Sequence, residues 1–114
     1  MALSAAMRNA MLTGGVALVT HLGLVNASGV EISGGDPAYA RKAVTWDTAA
    51  DGVISPTEDI AFDIPAETTV GGWAGFSAAT AGTNHGGDVT VADEVFAAQG
   101  TYTLLKAATG YTCD

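Results

Sequence analysis

Apolar and polar positions alternate with a period of two in several short stretches of this chain, most cleanly where Ile60, Phe62 and Ile64 face one way and Ala61 and Asp63 the other. That pattern predicts a half-buried strand, and Pro65 marks its end. A second alternation sets Tyr102 and Leu104 against Thr101, Thr103 and Leu105, which predicts a final strand over residues 99–105. Residues 16–25 read as a buried strand, because Val and Leu dominate between two turn-forming stretches. Residues 39–46 read as another, with Tyr39, Arg41, Ala43 and Thr45 on one face and Ala40, Lys42, Val44 and Trp46 on the other. Neither of those faces is cleanly apolar, so the strand is expected near a sheet edge or against a partner. Val53-Ile54 and part of 88–96 supply further short strands.

The stretch that organises the rest is 68–87, TTVGGWAGFSAATAGTNHGG. Thr68, Val70, Trp73 and Phe76 carry strand character, while Gly71, Gly72 and Gly75 remove side chains where another backbone or a bend must come close. It reads as the central strand. A small-residue corner follows at 77–83, and Gly86-Gly87 is expected to make the tight turn of a hairpin or crossover.

A helical period is confined to the N-terminus, where Leu3, Met7 and Met11 share a side and Ser4 stands at an N-cap position. The helix is expected through about Leu12, ended by Gly14-Gly15. Asn26, Ser28, Gly29, Ser33, Gly34, Gly35 and Pro37 make 26–38 a loop, and Arg41 is expected to bond a carboxylate within it, Glu31 or Asp36. The tail, 106–114, has little to bury and is expected as an arm laid on a neighbour. The fold expected is mainly β: an antiparallel, jelly-roll-like β-sandwich in one domain over 1–114, with a short helix or arm in 1–15.

Arg8 followed by the uncharged run 9–30, with Val25-Asn26-Ala27 at its end, imitates a signal peptide or a membrane span. Gly14-Gly15, Thr13, Thr20, His21 and Asn26 interrupt it, so neither is expected. Four basic against twelve acidic residues, a net charge of −8, argue against a nucleic-acid partner, which needs clustered Lys and Arg. With 14% charged residues the remaining surface is small and neutral, suited to packing against other proteins. The lone Cys113 cannot close an internal disulfide and reads as a bystander thiol.

The sharpest chemical pattern is Asp47-Thr-Ala-Ala-Asp51-Gly52-Val-Ile54-Ser-Pro-Thr-Glu58, which matches a calcium loop at its first, fifth, sixth, eighth and twelfth positions. Ala49 stands at the third, where an oxygen ligand is required, so the competing reading is a turn at Asp51-Gly52 between two strands. His21 falls in an apolar strand and His85 in a glycine turn, and Ser77, with Gly75 two before it but Ala79 two after, does not complete the glycine pattern of a nucleophile elbow. No enzyme and no cofactor are expected.

One combination goes beyond composition. The Leu3-Ser-Ala-Ala-Met-Arg-Asn-Ala10 helix, the Glu31-Ile-Ser-Gly-Gly-Asp-Pro-Ala-Tyr39-Ala-Arg41 block, Val44-Thr-Trp46, and Trp73-Ala-Gly-Phe-Ser-Ala-Ala-Thr80 running into Gly86-Gly87 resemble a group of small virion proteins of tailed bacteriophages. Those proteins are usually labelled tail fibre or minor tail proteins, and similar small β modules serve as capsid decoration proteins. The resemblance spans residues 3–105; this chain differs in a shorter loop before Glu31. It implies a virion structural protein, most simply a decoration protein that clamps the major capsid protein at capsomer junctions as a homotrimer, with a tail component as the alternative. The contacts it implies involve Met7 on the helix, Tyr39 and Arg41, Trp73 and the C-terminal arm. A class-distinct rival is a calcium-dependent adhesion or carbohydrate-binding module built on Asp47, Asp51 and Glu58.

Overall fold

Ser4 caps the helix as its position predicts: with its own backbone extended, its hydroxyl accepts a hydrogen bond from the Met7 amide at 3.1 Å. The computed structural model describes residues 3–33 and 39–113, and at 89–93 the backbone alone. Helix α1, Ala5–Val16, is longer than expected, because it runs through Gly14 and Gly15 and gives way only at Ala17. A glycine stops a helix by adopting positive φ, and neither of these does. Leu12 and Val16 are buried against Ala49 and Ile54, and that packing holds the last turn helical despite a cost of about 1 kcal/mol per glycine relative to Ala.

Among the described residues eight strands follow, β1 His21–Val25, β2 Lys42–Ala43, β3 Val53–Ile54, β4 Ile60–Ile64, β5 Thr68–Phe76, β6 Asn84–Phe96, β7 Gly100–Leu104 and β8 Tyr111–Thr112. All pair antiparallel, as a four-stranded sheet in the order β2-β1-β5-β6 and two two-stranded pairs, β3–β8 and β4–β7. The protein is therefore mainly β, antiparallel and sandwich-like, with one N-terminal helix.

The core lies between the four-stranded sheet and the β4–β7 pair. Leu24 and Trp73 are cross-strand partners on β1 and β5, and together with Leu22 and Val70 they pack on Ile60, Phe62, Ile64 and Leu104. β4 alternates buried and exposed as its sequence demands. β5 is indeed central, flanked by β1 and β6. Its glycines sit where neighbours come closest: a Cβ on Gly71 would lie 2.5 Å from the Ala27 nitrogen, and one on Gly75 would run into the Tyr111 hydroxyl.

Three expectations are corrected. The β5–β6 turn is the small-residue corner, where the Ser77 amide donates to the Thr83 carbonyl at 3.1 Å and Ala81 and Gly82 take φ of 54° and 71°. Gly86 and Gly87 lie inside β6 beside a register shift: Gly86 takes a φ of 91°, and a Cβ on Gly87, which pairs with Ala74, would run into the Trp73 carbonyl, so an irregularity within the strand and not a chain reversal requires glycine there. Second, the strands expected over 16–25 and 39–46 shrink to β1 and β2; Val16 and Val19 are buried, but Val16 closes α1 and Val19 lies in the connection that follows. An apolar run fixes burial more firmly than it fixes backbone conformation. Third, the tail is no arm. Thr109 is buried, β8 pairs with β3, and the Cys113 amide donates to the Gly52 carbonyl at 2.9 Å, so the chain closes on its own core. Among the described residues no helix is long and apolar enough to cross a membrane.

Candidate functional site

The most heavily bonded side chain described is Arg41. Its Nε and one terminal nitrogen donate to the two oxygens of Glu31, each at 2.8 Å, in the forked geometry a guanidinium shares with a carboxylate. Its other terminal nitrogen donates to the carbonyls of Ala78 at 2.9 Å and Ala81 at 2.7 Å, which ties down the β5–β6 turn. The guanidinium carbon lies 3.7 Å from the centroid of the Phe76 ring, a cation–π contact. Glu31 is the partner expected; the alternative, Asp36, lies outside the described residues.

Tyr39 joins the same unit. Its hydroxyl donates to Glu31 at 2.8 Å and accepts from the Leu24 amide at 2.9 Å, so a side chain satisfies a β1 backbone donor where β2 has ended. Gly23 makes the space: a Cβ there would lie 2.5 Å from the Tyr39 oxygen and 2.9 Å from Glu31. Burial would raise the Glu31 carboxyl, but hydrogen bonds from Arg41 and Tyr39 and the positive charge of Arg41 outweigh it and hold it below its ordinary value of 4.5. Burial and the bond to Glu31 push the Tyr39 phenol well above its ordinary value. The arrangement is a clasp, with its groups committed to one another.

Because the folded pKa of Glu31 is depressed, its stabilising contribution is present above about pH 4.5 and is lost as pH falls through the lower, folded value. Glu31→Gln should therefore be less stable than wild type at pH 7, with the gap narrowing as pH falls below 4.5. Urea unfolding at the two ends of that range checks it, and a gap independent of pH would contradict the assignment.

Trp73 sits 7% exposed in the core and offers no surface to a partner. It meets Tyr111 edge-on with centroids 5.2 Å apart, while Trp46 lies 5.6 Å from Tyr111 on another side. The Trp46 indole donates to the Val19 carbonyl at 3.0 Å, and the Tyr111 hydroxyl to the Gly86 carbonyl at 2.7 Å. Burial pushes the Tyr111 phenol up to about 12.

The Asp47 to Glu58 segment is a hairpin. Ala50 and Val53 exchange both backbone hydrogen bonds at 2.9 Å around Asp51 and Gly52, whose φ values of 51° and 73° are those of a two-residue primed turn. Trp46 pairs with Pro56, and the Asp47 amide donates to the Ser55 carbonyl, so the segment is zipped along its length and does not wrap around a centre. Among the described residues no group of three or more His, Cys, Asp or Glu side chains is placed to hold a metal ion.

The residues singled out from sequence thus separate. Tyr39 and Arg41 come together in the clasp, Trp73 is core, and Met7 is 53% exposed on α1. Gly23, Phe76 and the carbonyls of Ala78 and Ala81 were not legible as parts of the clasp, since only the fold brings them to Arg41; Gly23 inside an apolar strand was the one available signal. A scan against protein-family models, a search of curated proteins and a search of solved structures returned no match for this chain.

Proposed function

We propose that this chain is a structural protein of a tailed-bacteriophage virion, a capsid decoration protein that binds the assembled head at junctions of the major capsid protein and acts as a homotrimer, without catalysis. The observation that carries the reading is the make-up of the block that resembles such proteins. Its distinctive residues, Glu31, Tyr39 and Arg41, form one hydrogen-bonded clasp, and Phe76 from the second block lies under the Arg41 guanidinium. The likeness is therefore carried by residues that build a framework and not by Gly, Ala and Thr content. A small acidic domain of net charge −8 also fits a protein made in many copies and kept soluble until it meets the particle.

The test is the copy number of this protein relative to the major shell protein in purified particles, measured by quantitative mass spectrometry. A one-to-one ratio, or a simple symmetric fraction of it, supports the decoration reading. A handful of copies per particle moves the protein to the tail, and absence from particles overturns the virion reading.

A further inference from the structure

Helix α1 buries one side and leaves the other bare. Leu12 and Val16 face the core, while Met7, Met11 and the following Leu18 are 53%, 53% and 58% exposed. The spacing of four puts Met7 and Met11 on one side of α1, and Leu18, in the turn that follows the helix, continues the stripe by lining the same groove as Met11. Beside the stripe lies an open groove of about 370 Å³ with Met11, Leu12, Val16, Leu18, Tyr111 and Cys113 among its walls. Within the stripe sit Gly14 and Gly15, where an added Cβ would meet nothing within 4 Å. Alanine would favour the helix by about 1 kcal/mol at each position, so nothing inside this chain calls for glycine there. An exposed notch between large apolar side chains fits a second surface that approaches the helix backbone.

Charge selects the occupant. The chain carries −8, yet its first acidic residue is Glu31, and Arg8 is the lone charge before it. Two copies repel one another wherever acidic surface meets acidic surface; α1 carries no carboxylate, so two copies can meet along its exposed apolar side without that cost. A membrane or nucleic acid would call for clustered cations, which this helix lacks.

We infer that copies of this chain associate through α1, with Met11 and Leu18 of one copy packed over the Gly14-Gly15 notch of the next. This deepens the homotrimer of the proposed function and rests on that reading only for the expectation that copies associate. Its test uses the purified chain without particles, so it fails or succeeds independently of shell binding.

Sedimentation velocity over a concentration series, with thermal melts in parallel, reads the outcome for wild type, Gly15→Ala and Met11→Lys. Expected is a concentration-dependent oligomer that each variant weakens by at least about tenfold. Gly15→Ala is the sharper variant, because on a free helix face it would only stabilise the fold. A wild-type chain that stays monomeric at the highest concentration reached, or an oligomer that either variant leaves intact, overturns the inference; monomeric wild type would instead leave the stripe to a different protein.

Discussion

Arg41→Ala is expected to destabilise the protein by about 3 kcal/mol, a loss of roughly 10 °C or more in melting temperature. The substitution removes a forked ion pair, two hydrogen bonds to carbonyls and a cation over an aromatic ring, and it leaves Glu31 partly buried without its counter-charge. Arg41→Lys is expected to recover less than half of that, since an ammonium cannot span Glu31, Ala78 and Ala81 together. Thermal melting of both variants at neutral pH decides the matter. A change under about 1 kcal/mol for Arg41→Ala, the range of an exposed pair, would mean that the clasp is only a surface contact.

How legible the clasp was depends on distance along the chain. Glu31 and Arg41 lie ten residues apart with turn formers between, and the pairing of a loop carboxylate with a strand arginine follows from that proximity. Ala78 and Ala81 lie 37 and 40 residues from Arg41, and backbone carbonyls leave no mark in a sequence. The strands show the same division. β4 and β7 were readable because one face of each is apolar, and β5 because β-branched and aromatic residues concentrate in it. β2 was overextended because alternation along 39–46 is set by side chains reaching into the clasp and toward Trp46, with only two residues making a ladder. Gly86-Gly87 was misplaced because glycine answers equally to a turn and to a close backbone neighbour, and only the sheet register separates the two.

Tyr111→Ala should cost about 3 kcal/mol and detach the end of the chain from the body. Tyr111 fills the space over Gly75, packs against Trp73 and Trp46, and is the residue through which β8 reaches the main core. Both tryptophans of the chain touch it, so their fluorescence should shift to the red in the variant even where the fold survives. Tyr111→Phe keeps the ring and loses the hydroxyl's bonds to the Gly86 carbonyl and the Gly75 backbone, for about 1–2 kcal/mol and little spectral change. Equal effects of the two variants, or unchanged fluorescence in Tyr111→Ala, would show that the tail contributes no packing.

The Tyr39 hydroxyl on the Leu24 amide also bears on how this sheet can be extended. Along the outer side of β1 the Thr20 carbonyl accepts from the Val44 amide, His21 and Leu22 pair with β2, and Leu24 has its amide bound by Tyr39 and its carbonyl by the Ile32 amide. The outward groups of β1 are thus taken, and the margin on that side is the two-residue β2. At the other margin β6 has β5 as its one neighbour in the sheet. A sheet open at both margins recruits strands without limit, which is how fibrils propagate. Here the two margins are unequal, two residues in β2 against thirteen in β6: two copies joined β6 to β6 would have used the long edge of each, and growth along the sheet would have only the short β2 to continue from.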